Sequence, residues 1–262
     1  MRYGWILLFL FTGATTTAQP PFIHAHNDFQ KAEPLINALR YRAYSIEADV
    51  FLVNDTLRVA HEENELANAP SLWNLYLQPI INLFADNNGH ISPDTAYAPV
   101  LMIDIKKSSR AVLANLVQTL SAHPSEFDRS VNPHAVQIII SGDRPPRKKT
   151  EEDPGGEFSW TRYPRYIFFD GRPKETYDSA TLQRVAMISD SYFNYVIPSD
   201  SIDHHIRQLV QQVHSMGKLL RLWATPDSPN SWEHLQKWGV DIINTDKVAE
   251  CRNFFAGKAE SP

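Results

Sequence analysis

Residues 45–52 read Ser-Ile-Glu-Ala-Asp-Val-Phe-Leu, an apolar run that carries two carboxylates two positions apart. This pattern predicts a strand that is buried among other strands but has acidic groups on one face. Seven further short β-branched or aromatic runs flank it along the chain, at 22–25, 100–105, 136–140, 166–170, 185–189, 219–224 and 241–245. Several are apolar on both faces, as expected of strands between a barrel interior and a helical shell.

Segments with helical periodicity separate most of these runs. In 203–216 the residues Ile206, Leu209, Val210 and Val213 form one apolar stripe, which is typical of an amphipathic helix. The stretches 31–41, 109–122 and 231–238 have similar patterns. Eight strands that alternate with helices predict an α/β fold, a parallel (β/α)₈ TIM barrel, rather than a sandwich.

Domain organisation and location follow from composition. The chain has 262 residues, is 43% hydrophobic and carries a formal net charge of -5, so nothing draws it to nucleic acid. A basic start, an apolar run at 5–11 and small residues up to 18 are typical of a signal peptide. We therefore expect a signal peptide at 1–18, one barrel domain at 19–262, and a secreted or periplasmic monomer without stable membrane insertion. With Cys251 as its single cysteine, the chain has no internal disulfide.

Carboxylates stand at the strand ends that face the active site of a barrel. Glu47 and Asp49 are two residues apart and point to the same side. Two such groups in an apolar interior repel each other unless a cation lies between them, and Asp104 on the neighbouring strand adds a third. Without a cysteine nearby, this set favours one hard divalent cation, Mg²⁺ or Ca²⁺.

Two histidines supply groups for proton transfer near neutral pH. His26 follows the first strand, and a hairpin predicted over 53–62 returns His61 towards the same end. His24 has three open roles, since it either orients its neighbour, binds the metal or packs in the core.

The chemistry-bearing residues occur in a particular order: His26, Glu47-x-Asp49, His61, Asp104-x-Lys106 and the run Gly-Val-Asp-Ile-Ile-Asn-Thr-Asp at 239–246. This order resembles the PLC-like phosphodiesterase superfamily, which includes glycerophosphodiester phosphodiesterases, phosphatidylinositol-specific phospholipases C and sphingomyelinase-D-type enzymes. The opening His-Ala-His-Asn-Asp-Phe is most similar to the subgroup named after the fungal altered inheritance of mitochondria protein 6. The resemblance implies a metal-dependent phosphoric diester hydrolase acting on a glycerophosphodiester or a phospholipid-type headgroup.

The chain departs from the family at the first strand, where the usual His-Arg-Gly of glycerophosphodiesterases is absent. The catalytic histidine there is either His24 or His26, and His26 is favoured because its interval to Glu47 resembles that in the sphingomyelinase-D-like members. We count Lys106 with the catalytic residues as a phosphate partner, although a salt bridge to the same carboxylates is the alternative. The predicted substrate contacts, with core packing as the alternative for the last, are His24, Asn27, Arg144, Arg172, Arg221 and Trp223.

Two other functions fit parts of the pattern. The His24-x-His26 pair also opens the zinc site of amidohydrolase-type barrels, but those sites need histidines at later strand ends, where this chain has Asp170 and Asp190. A catalytically silent, exported barrel that binds a lipid or headgroup is the second alternative.

Overall fold

The computed structural model describes residues 20–151, 153–196 and 202–259. It contains nine strands in this part of the chain: β1 Phe22–Ala25, β2 Ser45–Val53, β3 Thr56–Val59, β4 Val100–Ile105, β5 Gln137–Gly142, β6 Ile167–Gly171, β7 Val185–Ser191, β8 Leu220–Trp223 and β9 Ile242–Thr245. All except β3 form a parallel ring, which closes because β1 pairs with both β2 and β9. The predicted (β/α)₈ barrel is confirmed.

Helices connect the strands on the outside of the ring: α1 Ile36–Arg40, α2 Gln78–Asp86, α3 Ser109–Ser121, α4 Pro124–Phe127, α5 Ser179–Leu182, α6 Ile202–Ser215, α7 Pro229–Trp238 and α8 Val248–Ala259. The apolar stripe of α6 is buried as predicted. The helix predicted over 31–41 forms only in its second half, because Pro34 disfavours helical backbone in the residue before it. None of the helices among the described residues is long and apolar enough to cross a membrane.

The barrel interior changes character from one end to the other. At the amino ends of the strands, a buried apolar cluster fills it, made of Val100, Met102, Ile139, Met187 and Ile242. Towards the carboxyl ends the inward positions become polar, beginning with Glu47 on β2, which lies in register with Met102 on β4. This gradient places a floor of packed side chains beneath a polar mouth.

The long connection after β5 is packed against the barrel. Trp160 is fully buried, its ring stacks on Phe169 at a centroid distance of 4.4 Å, and its Nε1 donates to the carbonyl of Pro145 at 2.8 Å. The carboxylate of Asp153 accepts backbone N–H groups of the next turn, at 2.9 Å each. The segment is therefore an anchored loop with its own internal contacts.

Candidate active site

Three carboxylates meet at the carboxyl ends of β2 and β4. The strand register sets Asp49 directly opposite Asp104, and Glu47 lies two residues earlier on the same face as Asp49. One oxygen of each group lies within 4.8 Å of the others. Glu47 and Asp49 are buried, with 7% and 2% of their surface exposed. The structure thus brings together the three residues predicted as cation ligands, and we call them the carboxylate cluster.

Lys106 reaches across the carboxylate cluster. Its Nζ lies 2.8 Å from Oδ2 of Asp49 and 2.8 Å from Oδ2 of Asp104, so the salt-bridge alternative for this lysine is realised. One ammonium does not balance three carboxylates. Burial and then the charge of Glu47 raise the pKa of Asp49 to about 7, although Lys106 opposes this shift. The surplus of buried acidic groups fits a divalent cation with oxygen ligands.

His24 supports the cluster from inside the barrel. It is fully buried, with Nε2 3.0 Å from Oε2 of Glu47 and Nδ1 3.0 Å from Oγ of Ser45. Burial and the positive charge of Arg221 lower the pKa of His24 to about 4, so the ring is neutral near pH 7. A side chain without exposed surface has no access to substrate. Of the roles left open by the sequence, the structure supports orientation of a neighbour and not a substrate contact.

Arg221 is also a barrel-interior residue. Only 4% of it is exposed, and its guanidinium contacts Asn244, Ser189 and Asp170 at 3.0, 3.0 and 3.4 Å. Its Nη1 lies 2.9 Å from Nε2 of His24. A neutral imidazole nitrogen either donates or accepts, so Arg221 and Glu47 compete for the same atom. The structure therefore does not support the predicted substrate contact of Arg221.

The other two predicted arginines are also committed to protein partners. Arg172 pairs with the fully buried carboxylate of Asp170 at 2.8 Å, and Arg144 pairs with Glu175 at 3.0 Å. Sequence reasoning did not identify Asp170 as an arginine partner. Its only indication in the sequence is a single acidic residue at the end of an apolar strand. Trp223 ends β8 with 40% of its surface exposed, which fits the predicted substrate contact and not the core-packing alternative.

His26 lies at the mouth beside the carboxylate cluster. Its Nδ1 is 3.0 Å from Oδ1 of Asp246, and its Nε2 is 3.9 Å from Oε2 of Glu47. Burial lowers the pKa of His26, but the hydrogen bond with Asp246 and the charge of Glu47 outweigh it and raise the pKa. Asn27 contacts the same Asp246 oxygen at 3.3 Å. Asp246, the last residue of the 239–246 run, is a second residue that the sequence-based site omitted.

His61 lies on the hairpin that β2 and β3 form, as predicted. The N–H of Ala60 donates to the carbonyl of Asp49 at 3.1 Å, which returns the chain to the level of the carboxylate cluster. The His61 side chain is 48% exposed, and its Nδ1 is 3.1 Å from Glu62. The backbone brings His61 to the rim, whereas its ring pairs with a surface acid and not with the cluster.

The zinc-site alternative does not fit this arrangement. It requires His24 and His26 as joint ligands, but the first lies behind Glu47 and the second pairs with Asp246. Among the described residues, the group of three or more side chains able to hold a metal consists of carboxylates alone. Such a set favours a hard cation over zinc.

Comparison with known proteins agrees with the fold and the order of residues. Residues 12–145, more than half of the chain, match the model of the AIM6-like phosphodiesterase domain. The altered inheritance of mitochondria protein 6 homolog of Arthroderma benhamiae is 26% identical over 282 residues, covering 93% of this chain and 87% of the relative. Altered inheritance of mitochondria protein 6 of Eremothecium gossypii is 26% identical over 276 residues, covering 88% and 69%.

Solved structures with the same barrel include glycerophosphodiester phosphodiesterases. One from Parabacteroides distasonis has a TM-score of 0.57 at 16% identity, covering 92% of this chain and 98% of that one. A phosphodiesterase from Oleispira antarctica, solved in complex with the product sn-glycerol-3-phosphate, has a TM-score of 0.54 at 13% identity, covering 90% and 97%. At these identities the likeness establishes the fold.

One expectation from the sequence is wrong. The relatives are named for altered inheritance of mitochondria, which implies a mitochondrial role for those proteins and contradicts the secreted or periplasmic location predicted from the sequence. The signal peptide expected at 1–18 lies outside the described residues. The expectation rested on composition alone, which does not establish where a protein is located.

Proposed function

This chain belongs to the AIM6-like phosphodiesterase family, and on that premise we propose that it is a metal-dependent phosphoric diester hydrolase. Its substrate is a glycerophosphodiester or a phospholipid-type diester, and residues 19–262 act as one domain. The observation that carries the proposal is the carboxylate cluster at the mouth of the barrel, buried and only partly neutralised by Lys106.

Glu47, Asp49 and Asp104 would hold the cation, Mg²⁺ or Ca²⁺. When bound, the ion offsets negative charge on the phosphate as the transition state forms. The three carboxylates are held in place by the protein. His24 restrains Glu47, and the strand register fixes Asp49 beside Asp104. Second-neighbour hydrogen bonds of this kind commonly orient metal-binding carboxylates.

Lys106 supplies a second positive charge at the same place. Its side chain is 22% exposed, and its ammonium contacts Asp49 and Asp104 at the carboxyl ends of the strands. A compact ammonium is a good partner for a non-bridging phosphate oxygen. The salt bridges hold Nζ in place, and the phosphate then adds an interaction without displacing them.

His26 and His61 carry the proton transfers. One removes the proton from the attacking hydroxyl or water, and the other protonates the leaving alkoxide. In His26 the contact with Asp246 engages Nδ1, which leaves Nε2 as the atom that faces the carboxylate cluster. His61 lies on the exposed rim hairpin, and its ring has to turn from Glu62 towards the bound phosphate to take part.

Hydrolysis of a substrate panel tests the proposal. Purified protein is assayed with bis(p-nitrophenyl) phosphate, glycerophosphodiesters, lysophospholipids and phosphoinositides, with and without a chelator. We expect chelator-sensitive turnover of at least one of them, and a loss of roughly 10²–10⁴-fold in His61→Asn. His134→Asn is the control, a change at a partly buried histidine whose ring centroid lies 4.4 Å from that of His90. Binding without turnover supports a silent headgroup-binding barrel, and unchanged turnover in His61→Asn contradicts its assignment.

A further inference from the structure

A basic cavity adjoins the candidate active site. We propose that it binds a second anionic group of the substrate, a phosphate monoester on the headgroup. This inference rests on the proposed function and narrows its substrate class to diesters that carry an additional phosphate.

The cavity begins next to the carboxylate cluster. It has a volume of about 430 Å³ and is lined mainly by residues 142–150, together with Trp160 and Glu175. Gly142, at the end of β5, forms its inner edge and pairs with Ile105. A Cβ atom on Gly142 would lie 2.9 Å from Oδ1 of Asp104. Gly142 therefore borders both the cavity and Asp104, and the proposed substrate spans the two.

Cationic side chains outnumber acidic ones around the cavity. Its lining includes four cationic residues, Arg144, Arg147, Lys148 and Lys149, and two acidic ones, Asp143 and Glu175. The excess of two positive charges matches a phosphate monoester, whose charge is about -1.5 to -2 at pH 7.

Both acidic groups of the lining already have partners. Asp143 accepts the N–H of Ser109 at the start of α3, at 2.9 Å. Glu175 accepts from Arg144 at 3.0 Å and from the hydroxyl of Tyr177 at 2.5 Å. Lys148 and Lys149 are exposed at the rim, and they contribute positive charge that these two carboxylates do not cancel by direct contact.

The wall of the cavity is held in place by buried contacts. The guanidinium of Arg144 lies 5.3 Å from the centroid of the Trp160 ring, and Trp160 is itself fixed on Phe169. The Nε of Arg144 is buried and has no hydrogen-bond partner among the described residues. An N–H group of a charged side chain left in this state is costly unless a partner arrives. An anion in the cavity lies close to this guanidinium and lowers the cost through charge attraction, while the exposed Lys148 and Lys149 make the direct contacts.

A pair of matched substrates tests this site. The first is glycerophosphoinositol and the second is the same diester with a phosphate monoester on the inositol ring. We expect the wild type to favour the phosphorylated form at least about tenfold in kcat/KM, equal to about 1.4 kcal/mol. The double variant Lys148→Gln/Lys149→Gln should lose this preference through KM, with turnover of bis(p-nitrophenyl) phosphate unchanged. Lys237→Gln on α7, an exposed lysine paired with Glu233, is the control.

The outcomes separate the two proposals. If the wild type hydrolyses both inositol diesters and neither it nor the double variant prefers the phosphorylated one, the second site is overturned while the hydrolase stands. If no diester is hydrolysed, the proposed function fails, and the cavity is tested by calorimetric titration with inorganic phosphate. Binding that is at least about fivefold weaker in the double variant then supports the anion site, and equal binding in both proteins overturns it.

Discussion

The Nε2 atom of His24 lies 3.0 Å from Oε2 of Glu47, and the imidazole to which it belongs is fully buried. The contact comes from inside the barrel, on the side of Glu47 opposite the open mouth. Together with the nearby charge of Arg221, it holds the pKa of Glu47 well below its usual range in spite of burial. Glu47 is thus an ionised carboxylate with a restrained orientation, as a cation ligand requires.

Removing this support should weaken cation binding. We expect His24→Leu to lower the affinity for Mg²⁺ or Ca²⁺ by roughly 10–100-fold, measured by calorimetric titration. His24→Gln, whose amide offers a donor and an acceptor at similar reach, should recover part of the loss. Far-ultraviolet circular dichroism checks that both variants are folded. Equal affinity in His24→Leu and the wild type would show that His24 only fills space.

Gly142 should tolerate no side chain, because its backbone is left-handed and a Cβ atom would collide with a neighbouring strand. Its φ is +68°, and a Cβ would lie 2.3 Å from the carbonyl oxygen of Ile105. Gly217 has nearly the same φ, +67°, with nothing within 4 Å. We expect Gly217→Ala to cost about 1 kcal/mol of unfolding free energy and Gly142→Ala at least about 2 kcal/mol. Urea unfolding of the two variants measures the difference, and equal losses would contradict the contact.

The fully buried carboxylate of Asp170 balances two arginines, Arg172 and Arg221. Asp170→Asn keeps the shape but leaves both guanidinium groups without their counter-ion, so we expect a loss of about 3–5 kcal/mol in unfolding free energy at pH 7. A loss below about 1 kcal/mol would show that the pairs add little.

The same group predicts a pH dependence. Burial raises the pKa of Asp170. The two arginines and Ser189 lower it by more than burial raises it, so the pKa in the folded state is below the usual value. Its contribution is therefore complete above about pH 4, the pKa of an unfolded aspartate, and is lost as the pH falls towards the folded pKa. Between pH 6 and 3, urea unfolding should show a steeper loss of stability in the wild type than in Asp170→Asn. Parallel curves would contradict this assignment.

Substitution of Lys106 distinguishes two roles, support of the cation site and contact with the phosphate. Because this lysine already occupies oxygens of Asp49 and Asp104, its removal should not weaken cation binding. Its removal should still slow the reaction, since the phosphate loses a cationic partner. We expect Lys106→Met to reduce kcat/KM for bis(p-nitrophenyl) phosphate by roughly 10²-fold with cation affinity equal to or higher than that of the wild type. A parallel loss of both would make Lys106 a structural part of the cation site.

Local patterns predicted the barrel because the periodicities of strands and helices can be recognised within short segments of sequence. They also predicted the carboxylate cluster, since Glu47 and Asp49 share one strand and Asp104 lies on its neighbour in the sheet. The pairing of Arg221 with Asp170 was not predictable in this way. β6 and β8 are not adjacent in the sheet, and the contact spans the barrel interior between residues 51 positions apart.

Because local patterns do not show contacts across the barrel, three arginines at strand ends were interpreted as phosphate ligands. A phosphate ligand is expected at a strand end. That position does not show which acidic residues the fold places next to each arginine. Asp170 and Glu175 occupy these guanidinium groups in the structure. Asp246 was overlooked because its partner, His26, lies 220 positions away along the chain.

The central claim is that Glu47, Asp49 and Asp104 hold one divalent cation on which diester cleavage depends. Calorimetric titration of metal-free protein with Mg²⁺ and Ca²⁺ tests it most directly, with the isosteric variant Asp49→Asn and, as control, Asp143→Asn, whose carboxylate caps α3. We predict one bound cation per chain in the wild type and the control, and affinity reduced by at least about 100-fold in Asp49→Asn. Wild-type protein that binds neither ion, or equal affinity in Asp49→Asn, would contradict the claim.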